Sequence, residues 1–514
     1  MRLATLAAAL FLSAATPALA DWSEARSDHF IIYSEQKPAE LKLYAERLER
    51  FDRLVRFLRK MDDPPLTDGG KVTIYVLPSV VGVQNLASGG RGGGGGILGF
   101  YMPRASGSVA FFSSKGDRSD RGPSKITPEQ VFQHEYMHHL MLSNWKTATS
   151  PWLVEGMAEF YGTVEFTKDW SAKVGLAPQS RAYGVTEDIG FNVEQLLTSK
   201  PAKDAAQRES VYGKGWVLTH MLAFDPARTG QLDKYLRALE RGDKPIDAAT
   251  SAFGDLKTLD KALDKYARST FRGVGVSPGP APKITVRPLS AADSAIMSVR
   301  MRSDRGVDKK SAPGIAAEAR RIAAAQAPSA FVQGVLAETE YDVQDYAASI
   351  AAADKALTME PTNVQAMLYR ARAMTAIAKK DPTKTNWSEI RRWLIKANRA
   401  DTENAEPLWL FHQTFGDAGE KPTKAATDGL IYALALAPQD RGLRMSTVKQ
   451  LLRDDRVNEA TALFGVLAND PHLPIVRQAT MTGLLDKMRA GDGKGALADI
   501  DAEQKKNEKE AEGA

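Results

Sequence analysis

Three of the chain's seven histidines fall within six residues, in His134-Glu135-Tyr136-Met137-His138-His139. The pattern H-E-x-x-H has chemical meaning on a helix, where residues four apart share one face. There His134 and His138 can aim both imidazoles at one ion, and Glu135, beside the first, can point at a water on it. Thr127-Pro128-Glu129-Gln130 just upstream is a helix start, with Thr127 as N-cap, Pro128 at the first helical position and Gln130 closing a capping box. An ion held this way needs a third protein ligand and an open fourth position if it is to be catalytic. Trp152-Leu153-Val154-Glu155-Gly156-Met157-Ala158-Glu159-Phe160, a second helix opened by Ser150-Pro151, supplies one. Glu155 and Glu159 lie on one of its faces, a pairing of acids that requires positive charge nearby, and Glu155 is the expected third ligand. The chain has no cysteine, so any metal must be held by His, Asp or Glu. One Zn2+ per chain is the ion that this donor set suits.

In these motifs the chain resembles the gluzincin zinc metallopeptidases, the thermolysin-like and aminopeptidase clan whose two histidines are completed by a glutamate on the next helix. The string Trp-Leu-x-Glu-Gly-x-Ala-Glu over 152–159 is similar to the glutamate-bearing helix of that clan. The resemblance implies that Glu155 completes the zinc site and that Glu159, one turn on, hydrogen-bonds the first zinc histidine and fixes its tautomer. Val211-Tyr212-Gly213-Lys214-Gly215 resembles the Tyr-x-Lys-Gly helix of the aminopeptidases. By that likeness Tyr212 donates a hydrogen bond to the oxyanion of the tetrahedral intermediate. His220, two turns later, reads as structural. Sixteen residues separate His138 from Glu155, slightly fewer than in those enzymes, which a shorter connecting loop accommodates. The Gly-Ala-Met-Glu-Asn segment that anchors a free amino terminus in the aminopeptidases does not occur in this chain, so exopeptidase specificity is not implied. In gluzincins the strand before the active-site helix is an edge that pairs with extended substrate, and Ser108-Val109-Ala110-Phe111-Phe112 stands at that place in the chain order.

Positioning these residues requires a mixed scaffold. His29–Tyr33, Lys71–Leu77, Ile97–Met102 and Ser108–Ser113 read as strands, and Ala39–Arg59 as a long charged helix; after Thr127 the pattern is helical. The run Gly89-Gly90-Arg91-Gly92 to Gly96 lacks the Gly-Lys-Ser/Thr ending of a phosphate loop and is expected to form a mobile flap. Gly273 to Lys283, rich in Gly and Pro, marks a boundary, with residues 273–311 as linker. Beyond it, Ala356 before Pro361, Ala397, Ala433 before Pro438 and Val466 before Pro471 close helical hairpins, as the small residues and prolines of tetratricopeptide repeats do. The expected fold class is therefore α+β: a thermolysin-like zincin catalytic domain over 21–272, with a small mixed sheet and a helical subdomain. An all-α tetratricopeptide-like solenoid follows over 312–490, then a charged tail over 491–514.

The balance of 68 basic against 63 acidic residues leaves a net charge of +5, too dilute over this length to form a nucleic-acid footprint. Residues 1–20 have the form of a signal peptide: Arg2, an apolar Leu3–Ala15 and a small-x-small cleavage pattern ending at Ala20. No later segment reaches membrane-spanning length. A periplasmic or secreted protein is expected. The sequence thus points to an exported zinc metallopeptidase in which Glu135 is the general base, acting on a peptide or protein substrate, with repeats that recruit substrate or a protein partner. The alternative is a catalytically silent peptidase fold that serves as a repeat-based scaffold.

Overall fold

The computed structural model describes residues 22–90, 96–116, 125–145, 150–186, 192–198, 205–470, 473 and 475–513. Residues 1–20, read above as a signal peptide, and most of the glycine run lie outside the described residues. A six-stranded sheet carries the N-terminal part: β1 (Ser23–Arg26), β2 (Phe30–Ser34), β3 (Val72–Leu77), β4 (Gly99–Met102), β5 (Val109–Ser113) and β9 (Thr285–Pro288), in the order β4-β5-β3-β2-β1-β9. β2, β3 and β5 run parallel, while β4, β1 and β9 pair antiparallel with their neighbours. The central strands read as unbroken apolar runs because both faces are covered. Phe30, Ile32, Ile74, Val76, Ala110 and Phe112 face one core, whereas Ile31, Tyr33, Tyr75, Leu77, Val109 and Phe111 face another.

The first core is filled by α1 (Pro38–Arg59), α3 (Pro128–Asn144) and the helices after it; the second lies under α2 (Val80–Ala87). Behind α3 come α4 (Pro151–Gly162), β6 (Glu165–Phe166), β7 (Ala172–Val174), α5 (Ala182–Thr186), α6 (Val193–Leu197) and α7 (Ala205–Phe224). The region closes with α8 (Gln231–Glu240), α9 (Pro245–Phe253) and α10 (Leu256–Ala267).

Residues 273–311, read above as a linker, are structured. β8 (Val274–Val276) completes a three-stranded sheet with β6 and β7, and β9 extends the main sheet beside β1. Proline misleads here because an edge strand tolerates it: its outward N–H has no partner to lose. Pro288 occupies such an edge. Arg287 also donates to the buried Glu24 carboxylate across the β1–β9 pair, at 2.9 Å.

Helices then follow as hairpins: α11 (Ala291–Asp304) with α12 (Ala312–Ala325), α13 (Ala330–Asp342) with α14 (Tyr346–Met359), α15 (Val364–Ala378) with α16 (Trp387–Ala400). α17 (Glu406–Asp417) with α18 (Lys424–Leu436), α19 (Arg441–Arg453) with α20 (Val457–Ala468), and α21 (Ile475–Arg489) with α22 (Gly493–Gly513) complete the array. Ala356, Ala397 and Ala433 are fully buried where helices meet, because a small side chain permits close approach. Val466 is only half-buried; Ala460 and Gly465 are the small buried residues of its helix. The array starts at α11, ahead of residue 312, since Ile296 and Val299 share a core with Ile315, Ala319 and Val335. Nor is the C terminus merely a charged tail: Ala496 and Ile500 of α22 are buried against Val448 and Leu484, and Lys449 pairs with Asp501 at 2.7 Å. Among the described residues no helix is long and apolar enough to cross a membrane.

The array folds back on the sheet. Asp401 accepts from the Gly69 amide at 2.8 Å and from the Thr67 hydroxyl, and Asp440 accepts from the Ala105 amide at 2.8 Å. Two turns of the array are thereby fastened to loops at one end of the sheet, next to α3.

Candidate metal centre

α3 begins as its sequence requires, with the Thr127 hydroxyl accepting from the Gln130 backbone amide and the Gln130 side-chain oxygen accepting in return from the Thr127 amide. Phe132, Tyr136, Met137, Leu140 and Met141 bury one side of the helix, and the Tyr136 hydroxyl donates to Asp52 of α1 at 2.8 Å. This fixes the rotation of α3 and turns His134 and His138 towards α4. Ser150 stands at the N-cap of α4, where its hydroxyl meets that of Tyr235 at 3.0 Å instead of capping the helix.

The three residues proposed as ligands converge. His134 Nε2 and His138 Nε2 are 3.2 Å apart, and Glu155 Oε2 lies 3.5 Å from the first and 3.7 Å from the second. Bonds of about 2.1 Å at tetrahedral angles put donor atoms roughly 3.4 Å apart. The observed spacing fits a single ion of zinc's size and geometry, and two imidazoles with one carboxylate are a donor set that zinc accepts. Glu155 is 1% exposed. Burial works against charge on His134, but its hydrogen bond to Glu155 and the charges of Glu159, Glu155 and Glu135 outweigh it and push the imidazole up to about 9. The surroundings thus favour positive charge at this point.

Glu159 lies 3.5 Å from His134 Nδ1, on the ring nitrogen opposite the one turned to Glu155. Its Oε1 also accepts a shorter hydrogen bond, 2.9 Å, from Arg181 Nε. Arg181 was not among the residues expected from sequence. It reaches Glu209 at 3.2 Å and sets its guanidinium 4.4 Å above the Tyr212 ring. Tyr212 itself lies near-parallel to His134, with ring centroids 6.3 Å apart. Burial first, and then the neighbouring Glu155 carboxylate, raise its hydroxyl above the usual tyrosine range. Glu135 is half-buried and lines, with His138, a cavity of about 300 Å³ that also borders Tyr101, Trp145 and Val154. Tyr212 does not line that cavity; it meets the ligand set from the side of His134.

Two neighbouring histidines are structural. His139 is held neutral by burial, which with the charges of Arg56 and His29 lowers it to about 3, and its Nδ1 lies 2.7 Å from the Tyr101 hydroxyl. His220 bonds Tyr266 and the Gly175 carbonyl at 2.8 and 3.2 Å, in keeping with its structural reading. The edge strand beside α3 is β4, not the Ser108–Phe112 segment: β5 lies between β4 and β3 and is buried throughout. An apolar run without alternation belongs inside a sheet, and Tyr101 of β4 is the strand residue that borders the cavity.

Glycines set how near α7 comes to α4. A Cβ on Gly156 would lie 2.4 Å from the Gly215 carbonyl oxygen, and one on Gly215 would lie 2.7 Å from that of Trp152. The glycines of the Glu-Gly and Lys-Gly strings are therefore the crossing point that brings Tyr212 to the ligands. Gly156→Ala is expected to lower stability by about 1–3 kcal/mol through overpacking, read as a lower urea midpoint. An unchanged midpoint would mean that the two helices separate freely.

The chain matches no family model and no curated protein. Among solved structures it is similar to the "MamA RS-1 ArsTM double mutant", with 13% identity and a TM-score of 0.27, over 35% of this chain and 95% of that one. A likeness this loose bears on neither fold nor function.

Proposed function

We propose that the protein is a zinc-dependent metallopeptidase of gluzincin type, exported by its N-terminal segment, with tetratricopeptide-like repeats that engage substrate or a protein partner. One observation carries this reading: His134, His138 and Glu155 present three donor atoms at the mutual spacing of tetrahedral coordination. A divalent cation held by these three residues would supply Lewis acidity for a peptide carbonyl and for water. Everything else falls to side chains. Glu135, on the cavity wall beside His138, takes the proton of the attacking water and passes it to the departing amine. Glu159, held by Arg181, orients the His134 ring so that Nε2 faces the cation. Tyr212, whose hydroxyl neighbours Glu155, steadies negative charge on the carbonyl oxygen. The hairpin array supplies a surface broad enough to hold more of a substrate than the cleft itself.

Metal analysis of the purified mature protein beside His138→Ala tests the site. We expect one zinc per chain in the first and none in the second, with both remaining folded by circular dichroism. Equal zinc in the two proteins, or none in either after exposure to zinc, would remove the basis for a metallopeptidase.

A further inference from the structure

The cavity beside Glu135 and His138 has a second wall that belongs to the helical array. Pro438, Gln439 and Arg444, from the α18–α19 turn and the first turns of α19, face it, together with Leu467 of α20. This wall is held in place: Asp440 accepts from the Ala105 amide, and Gln439 reaches the Ser108 hydroxyl at 3.4 Å. The array therefore takes part in building the cleft.

The wall carries two arginines with different circumstances. Arg441 is half exposed and its charge is balanced by Asp470. Arg444 is 3% exposed. Among the described residues its side chain donates only to the Pro438 carbonyl, and no carboxylate lies within ion-pair distance. A guanidinium has five N–H donors in a planar fork matched to a carboxylate. Burying one beside a cavity without its anion is costly unless something that enters the cavity pairs with it. Burial alone pulls Arg444 down to about 10, so it stays charged at neutral pH.

We infer that Arg444 is the substrate-recognition group of this cleft and binds a carboxylate of a short peptide, so that the enzyme selects anionic substrates. The inference rests on the peptidase reading above. The volume of about 300 Å³ is at the lower end for ligand clefts and suits a few residues of peptide. Free C termini and acidic side chains carry the same group, and experiment separates the two sources.

Four tetrapeptides of one parent sequence serve as probes: free acid, C-terminal amide, amide with an internal Glu, and amide with an internal Gln. The zinc-loaded wild-type protein is expected to favour one carboxylate-bearing member over its neutral counterpart by about 100-fold in kcat/KM, since a buried donor left unpaired penalises the wrong substrate heavily. Whichever pair shows the preference identifies the source. In Arg444→Met, which removes the charge at similar volume, that ratio should fall towards one. Calorimetric titration of the same peptides into zinc-loaded Glu135→Gln reads the preference without turnover. Hydrolysis and binding that ignore the carboxylate in both pairs would overturn the inference and leave the peptidase reading intact. Carboxylate-selective binding with no hydrolysis of any peptide by the wild type would do the reverse. The wild-type ratios decide the matter even if Arg444→Met fails to fold.

Discussion

Glu135→Gln is expected to reduce peptide hydrolysis about a thousandfold, within the range a positioned general base contributes, while zinc content and melting temperature stay at wild-type values. The substitution keeps the shape of the side chain and removes only its capacity to take a proton. His134, His138 and Glu155, which present the donor atoms, are untouched, so metal and activity should part company in this variant. Casein and short-peptide assays beside metal analysis check both halves. Retained hydrolysis would refute the assigned base; zinc without hydrolysis in the wild type would favour the silent scaffold.

The second large effect concerns stability and a different histidine. His29 of the β1–β2 turn is enclosed by acids: Nδ1 lies 2.9 Å from Glu49 and 3.4 Å from Asp52, and Nε2 lies 2.8 Å from Asp63. Asp52 in turn binds Arg56 and the Tyr136 hydroxyl, each at 2.8 Å, so the cluster ties the sheet to α1 and α3. The three acids and His29 could be mistaken for a second metal site. Each ring nitrogen, however, already has its own carboxylate, which is the arrangement of a buried imidazolium. Burial opposes that charge, but the Glu49 hydrogen bond and the Asp52 and Glu49 charges prevail and raise His29 to about 9. Glu49 is held below the usual range by His29 despite its burial, whereas complete burial pushes Asp52 up.

Removing the imidazolium in His29→Leu leaves the buried Glu49 without its cation and Asp52 with Arg56 alone, and is expected to cost about 3–5 kcal/mol near pH 6. The sign of the pH dependence follows from the raised value. A histidine that binds its proton more tightly when folded adds stability that is complete below about 6.5 and fades as pH climbs through about 9. The gap between wild type and His29→Leu in urea midpoint should therefore shrink from about pH 6 to about pH 10. A gap that widens over that range would mean the ring is neutral in the folded protein.

The legible part of the site was local. Thr127 and Gln130 cap α3 as their spacing requires, and His134 and His138 share a face because one turn of helix separates them. Glu155 and Glu159 face the histidines for the same reason on α4. The central strands also stand where apolar runs place them, with ends shifted by a residue or two. What escaped were single residues brought in from afar. Arg181 braces Glu159 from a lone turn, Tyr101 reaches the cavity from an edge strand, and Arg444 arrives from more than 300 residues downstream of Glu135. None lies in a repeating pattern, and an isolated Arg or Tyr has no local signature. The reading of residues 273–311 as a linker fails for a related reason: whether such a stretch stays free or becomes an edge strand depends on an open sheet edge beside it, and β7 offers one to Val274–Val276 as β1 does to Thr285–Pro288.

The amino-acid order alone decided which donors lie on a common helical face and where those helices begin, because a helix converts spacing into geometry through its own backbone. The convergence of α3 and α4 to a few ångströms, the approach of α7 through Gly156 and Gly215, and the roof that the array sets over the cleft were decided only by the folded chain. Those distances follow from side-chain packing between segments far apart in sequence, and no short-range rule encodes how two surfaces will meet.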